Sequence, residues 1–276
     1  RARGLVEGAT VAMMAGNQRE AIEVALACMH GGWVMVPVNW HWVAAELAHV
    51  LDDSDATALV VGAAWLAVAT DAEALVAGAP GTLVRVAITG ADQVPAGYEC
   101  YEDVLAGADP TEPADQVRGG VMFYTSGTTG HPKGVRGGLA QVGGPAEIWQ
   151  FVAAALAEIM QPAPTSPVQL VCGPAYHSAQ WVFAVVPLHR FDPAEVLALI
   201  DRHRVTNVHL VPAQFARLLK LSADTRDAFS GSSLHRVHHG AAPCPTEVKR
   251  QMIAWWGPII TEYYGGTEGG FITVLT

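Results

Sequence analysis

Apolar residues in this chain alternate between two patterns. Short, mostly apolar runs at 10–14, 33–38, 57–61 and 83–88, the last interrupted by Arg85, have the length and β-branched content of strands. Between them, apolar residues recur at helical spacing. One such segment starts at Asn17, reaches Cys28 and Met29, and stops at Gly31-Gly32; a second covers 44–51 with Leu47, Val50 and Leu51 in phase; a third, rich in alanine, lies near 64–77. Asn17 is expected to cap the first helix and the glycine pair to end it. Residues 106–118, rich in Gly, Pro and Asp, read as a loop before the apolar run Val121-Met122-Phe123.

The second half continues in the same style. Helices are expected at 145–160, 179–187, 192–203, 213–221 and 246–256, with strands at 168–172, 207–211, 234–238 and 259–263. Asp192-Pro193 has the order of a helix start, and Glu247 suits a first turn. Residues 161–167 read as a loop, and the last strand runs into a glycine-rich turn. This alternation predicts an α/β fold: two successive α/β subdomains, each with a mostly parallel sheet flanked by helices. The breaker-rich Gly143-Gly144-Pro145 suggests a division into 1–143 and 144–276.

Composition narrows the function. The 276 residues are 51% hydrophobic and 15% charged, enough for a substantial core. A net charge of −10 argues against a nucleic-acid partner, which calls for a basic face. No apolar run reaches the roughly 18 residues of a spanning helix. No apolar region follows Arg1-Ala2-Arg3-Gly4, so no signal peptide is expected. Cys28, Cys100, Cys172 and Cys244 are far apart in unrelated contexts and read as reduced thiols of a cytoplasmic protein. Histidines gather at His235, His238 and His239 near Cys244, but in no known zinc spacing, and adjacent strand residues point to opposite faces.

The chemistry concentrates in Tyr124-Thr125-Ser126-Gly127-Thr128-Thr129-Gly130-His131-Pro132-Lys133-Gly134-Val135. Hydroxyls, glycines and a lysine in one short run can wrap a polyphosphate through backbone N–H groups, hydroxyl donors and a point charge. The same composition also suits a surface turn. A Walker A loop does not fit: Pro132 precedes the lysine, Gly134 follows it, and Val135-Arg136-Gly137-Gly138 is a poor helix start.

Residues 124–135 resemble the phosphate loop of the adenylate-forming (AMP-binding) superfamily, which includes acyl- and aryl-CoA synthetases. Three later segments resemble further motifs of that family in the same order. Pro174-Ala175-Tyr176-His177 resembles its P-x-x-H motif, His239-Gly240-Ala241-Ala242-Pro243 its small-residue loop, and Tyr264-Gly265-Gly266-Thr267-Glu268 its Y-G-x-T-E motif. The resemblance covers nearly the whole chain and is strongest for the acyl-CoA synthetase branch, N-terminal region.

The resemblance implies a reaction in which ATP activates a fatty or aryl acid as an acyl-adenylate, followed by transfer to CoA. It implies that Thr125, Ser126, Gly127, Thr128, Thr129, Gly130 and Lys133 hold phosphates. Tyr263, Tyr264, Gly240, Ala241, Ala242 and Gly265 would line the nucleotide, and Thr267 would bind the α-phosphate. Glu268, with Thr125, would hold Mg²⁺. His177, Gln180 and Trp181, with Gly240 and Gly265, would border the acid. Thr125, Lys133, His177 and Glu268 are the implied catalytic set. A histidine at 177 offers no fixed anion, which disfavours an amino acid as substrate. A homodimer is compatible with this reading.

Two departures qualify it. The family's hinge aspartate, β-barrel and mobile C-terminal domain have no counterpart in these residues, so the chain alone is expected to be incomplete for catalysis. Between Leu188 and Phe191 only His189-Arg190 intervene where the family has a strand and a loop. A sheet lacking an inner strand would be hard to close, so a deletion or missing residues are expected there. The alternative function is a non-catalytic nucleotide- or acyl-binding relic of the same fold.

Overall fold

The computed structural model describes residues 1–76, 83–111, 113–125, 130–178, 186–187, 191–266 and 270–275. It divides into two compact units, Arg1–Phe151 and Val152–Thr276, each built around its own sheet.

Unit 1 alternates strand and helix: β1 (Thr10–Met14), α1 (Arg19–Gly31), β2 (Val34–Pro37), α2 (Ala44–Asp53), β3 (Ala56–Gly62), α3 (Leu66–Glu73), β4 (Val84–Ile88), β5 (Glu99–Cys100), α4 (Tyr101–Ala106) and β6 (Gly120–Val121). The strand order is β5-β4-β3-β1-β2-β6, and every pairing is parallel. β1 is buried along its whole length, as its unbroken apolar run requires at the centre of a sheet covered on both faces. Leu47, Val50 and Leu51 of α2 pack with Leu59, Val61, Met14 and Val36 in the core.

The first helix starts differently from expectation. Its cap is Gln18, with extended backbone and no side-chain cap bond, while Asn17 is buried. At the other end Gly32 adopts φ 75° and returns its N–H to the Cys28 carbonyl, the left-handed C-cap that glycine favours. A 3₁₀ turn, Ala63–Trp65, occupies the start of the stretch expected as one helix. Beyond β6 the chain forms an antiparallel pair, β7 (Phe123–Thr125) with β8 (Lys133–Val135). Gly143 and Gly144 bond back to Arg118.

The helix α5 (Ile148–Met160) straddles the division between the units. Unit 2 continues with β9 (Gln169–Val171), β10 (Val186–Pro187), α6 (Pro193–His203), β11 (Asn207–Leu210), α7 (Pro212–Leu219), α8 (Ala223–Asp227), β12 (Arg236–His239), α9 (Thr246–Trp256), β13 (Ile260–Gly266) and β14 (Gly270–Leu275). The order is β10-β9-β11-β12-β13-β14, parallel except for the final hairpin. Asp192 caps α6 by accepting from the N–H groups of Ala194 and Glu195, at 3.0 and 2.9 Å. Phe215, Leu210, Val208, Val237 and Met252 form the centre of the core.

One expectation changes here. Val186 and Pro187 are strand, paired in parallel with Leu170 and Val171, not the end of a helix; residues 179–185 of that expected helix lie outside the described residues. Among the described residues β9 pairs with β10 on one side and β11 on the other; residues 188–190 of the short connection lie outside the described residues. All four cysteines are free thiols. Among the described residues no helix is long and apolar enough to cross a membrane.

Candidate functional site

In unit 1 the phosphate-loop residues sit on and between β7 and β8. The antiparallel register places Thr125 directly opposite Lys133, with Tyr124 opposite Gly134. The hydroxyl and the ammonium therefore flank the base of one loop. Lys133 is exposed and enters no ion pair among the described residues. Gly130 has φ 97°, a conformation that needs a glycine. Ser126, Gly127, Thr128 and Thr129 lie outside the described residues. Lys133 opens a strand rather than a helix, so the loop is not of the Walker type.

In unit 2 three motifs leave the same end of the sheet. Pro174–His177 follows β9, Gly240–Ala242 follows β12, and Tyr263–Gly266 are the last residues of β13. These strands are parallel, in register through β11, so the motifs gather at their carboxyl ends, where open α/β sheets bind ligands. The His177 N–H bonds the Pro174 carbonyl at 3.0 Å, and its exposed ring lies 4.7 Å from that of Tyr176. Gln180, Trp181, Thr267 and Glu268 fall outside the described residues.

The two adjacent tyrosines face opposite ways. Tyr263 is buried, and its hydroxyl lies 2.8 Å from Nε2 of His209. Burial pushes its pKa up to about 12. Tyr264 is 69% exposed, so it alone of the pair can offer an aromatic face to a base. Gly240 is small for a reason internal to the protein: a Cβ there would stand 2.6–2.8 Å from the Tyr263 ring. Gly240→Ala is expected to cost about 1–3 kcal/mol of stability, read as a lower urea midpoint. An unchanged midpoint would mean that the ring moves aside freely. Next to it, Ala241 holds φ 67°, an uncommon left-handed conformation for a residue with a Cβ.

Behind this loop is a histidine cluster, of which sequence reading placed His239 in the loop motif and His238 beside it but missed His209. His209, His238 and His239 are buried. His238 Nε2 lies 2.8 Å from the Met160 carbonyl, whereas the His239 ring packs edge-on against Phe215. Neither ring nitrogen of His239 has a hydrogen-bond partner among the described residues. Burial lowers the pKa of all three: His209 to about 3, with its two neighbours adding to the effect, and His238 to about 4 despite its bond to Met160. Glu262, paired with Lys249 at 2.8 Å, lies across from His239 in the sheet register. The lysine's hydrogen bond holds that carboxyl below its ordinary range.

No group of three or more His, Cys, Asp or Glu among the described residues could hold a metal ion. A magnesium ion carried on phosphates needs only one or two protein oxygens, and the Thr125 hydroxyl is a hard donor of that kind.

The sequence model of the AMP-binding enzyme family matches residues 1–276. The chain belongs to the AMP-binding enzyme family. This member of the AMP-binding enzyme family is 30% identical over 291 residues to a medium/long-chain-fatty-acid–CoA ligase of Mycobacterium tuberculosis, covering 98% of this chain and 48% of that protein. It is 29% identical over 285 residues to a feruloyl-CoA synthase of Amycolatopsis, covering 97% of this chain and 51% of that protein. The chain thus spans about half the length of the curated relatives it matches. Among solved structures it is similar to the amide bond synthetase McbA from Marinactinospora thermotolerans, with TM-score 0.81 at 26% identity over 100% of this chain and 54% of that one. It is also similar to the N-terminal domain of FACL13 from M. tuberculosis, with TM-score 0.74 at 25% identity over 97% of this chain and 65% of that one. The two-unit α/β architecture is therefore that of the N-terminal part of adenylate-forming enzymes.

Proposed function

We propose that this chain is the nucleotide- and acid-binding part of an ATP-dependent acid–CoA ligase acting on a fatty or aryl acid. The observation that carries the proposal is the cross-strand pairing of Thr125 with Lys133, a lysine with no ion pair among the described residues, at the base of the glycine- and hydroxyl-rich loop. The fatty-acid and feruloyl ligases among its relatives support the substrate class.

In the first step a carboxylate oxygen of the acid bonds to the α-phosphorus of ATP, and pyrophosphate leaves with its bonding electron pair. In the second, the sulfur of CoA bonds to the acyl carbon, AMP leaves, and the thiol proton passes to solvent. Lys133, with Thr125, Ser126, Thr128 and Thr129, holds the β- and γ-phosphates and stabilises the charge that gathers on the departing pyrophosphate. Tyr264 stacks on the adenine, Thr267 binds the α-phosphate, and Gly240, Ala241, Ala242 and Gly265 form the floor under the nucleotide. His177 borders the acid's carboxylate, with Gln180 and Trp181 as the wall of its pocket. Glu268 and Thr125 would hold Mg²⁺, which supplies positive charge on the phosphates.

The test is equilibrium binding of Mg·ATP to the chain. Lys133→Ala and Glu268→Gln are each expected to weaken it about 10- to 100-fold, the loss expected for a charge-assisted contact. Affinities unchanged in both variants would overturn these assignments. Pyrophosphate exchange by the protein in its full natural length, with a panel of fatty and aryl acids, tests the chemistry. ATP binding without exchange on any acid would instead favour a non-catalytic relic.

A further inference from the structure

The β7–β8 ladder is three residue pairs long. A two-stranded ribbon that short is not stable by itself in water, so something else must hold the two limbs of the phosphate loop. The neighbouring helix α2 does so at two points. His49 and Asp53 stand four residues apart on it and therefore share a face. His49 Nε2 donates to the Pro132 carbonyl at 2.9 Å, immediately before Lys133, and its ring lies 5.0 Å from that of His131. The Tyr124 hydroxyl, immediately before Thr125, donates to the Asp53 carboxylate. The Arg136 guanidinium donates to the Asp53 carbonyl at 3.2 Å, just beyond β8.

The anchoring is rigid at both ends. On the helix side, Leu47, Ala48, Val50 and Leu51 are buried in the unit 1 core. On the loop side, Tyr124 and Pro132 are buried, and the Tyr124 ring closes over Gly134, where a Cβ would meet it at 3.0 Å. Each limb thus has its own tether to one helix, one residue away from the group that faces the nucleotide.

We propose that His49 and Asp53 are positioning residues for nucleotide binding: by tethering the two limbs they fix the spacing of Thr125 and Lys133, and with it the affinity for ATP. This rests on the reading of residues 124–135 as a phosphate site. Neither residue touches the nucleotide; each acts through a loop residue.

The experiment compares Mg·ATP affinity and backbone hydrogen exchange at residues 124, 134 and 135 in the wild-type chain and five variants. Asp53→Ala and His49→Ala are expected to weaken ATP about three- to tenfold and to speed exchange at those amides. Asp53→Asn and His49→Gln keep an acceptor for Tyr124 and a donor for Pro132, and are expected to return affinity to within about twofold of wild type. Tyr124→Phe keeps the ring over Gly134 but removes the hydroxyl, so it should match Asp53→Ala without disturbing α2. Wild-type binding with all variants unchanged in affinity and exchange overturns the inference. Failure of the conservative pair to rescue also overturns it, since it points to general damage to α2. If the wild-type chain binds no ATP, the phosphate reading fails, and unchanged exchange in the variants then removes the tethers as well.

Discussion

Gly119→Ala is expected to unfold unit 1 or to leave it barely stable, with a loss of about 4 kcal/mol or more out of the roughly 5–15 that hold a domain. Gly119 is buried where β6 begins. A Cβ on it would stand 1.9 Å from the Cys28 carbonyl oxygen and 2.5 Å from that of Trp33. Both obstacles are backbone, one at the end of α1 and one at the entry to β2, so no rotamer change relieves them. The Gly119 N–H also bonds the Met29 carbonyl at 2.8 Å, which prevents the residue from backing away. The measurement is a urea midpoint, with Gly137→Ala as the control, because a Cβ at Gly137 meets nothing within 4 Å. Equal midpoints for the two variants would refute the prediction.

Acidification is expected to loosen unit 2 before unit 1. His209 and His238 have pKa values of about 3 and 4 in the folded chain, against about 6.5 when unfolded. Between these values the unfolded chain binds more protons than the folded one. The stability of unit 2 is therefore complete above about pH 6.5 and falls as the pH drops below it. At about 1.4 kcal/mol per pH unit, each of these two histidines removes about 2 kcal/mol by pH 5. His239, also lowered by burial, acts in the same direction, moderated by Glu262. Unit 1 has no buried histidine among its described residues. Protection factors from hydrogen exchange, corrected for intrinsic rates, should fall from pH 7 to pH 5 for β11 and β12 and hold for β1 and β3. A parallel fall in both units, or none in unit 2, would show that the histidines are not responsible.

Much of this architecture was legible in the sequence where local chemistry decides. β1 is an unbroken apolar run, α9 has the bounds its pattern gives, and Asp192-Pro193 caps α6 as its residue types dictate. Asn17 has the chemistry of a cap but is drawn into the interior, so Gln18 takes the position. The two hairpins were not legible. Glycines and hydroxyls erase the alternation that marks a strand, and β7–β8 is held by a helix some 70 residues earlier in the chain (|i−j| = 71 for Tyr124 and Asp53). Ending the last strand at 263 left unread which way the two tyrosines face; with β13 running to Gly266, the two-residue period turns Tyr263 inward and Tyr264 outward. At Gly240 the requirement for glycine comes from Tyr263, a side chain that no linear motif places there.

The position of β6 sets an order of events for the growing polypeptide. β2 is completed only when Gly120 and Val121 arrive beside Val34 and Met35, long after β1 and β3 are available. Until then a nearly fully buried apolar strand, Val34-Met35-Val36-Pro37, shows a raw edge to the surroundings, the kind of surface on which strands of other chains pair. Any fragment that stops short of Gly120 keeps that edge permanently. During synthesis on the ribosome, the stretch that precedes Gly120 is therefore the one most in need of shelter.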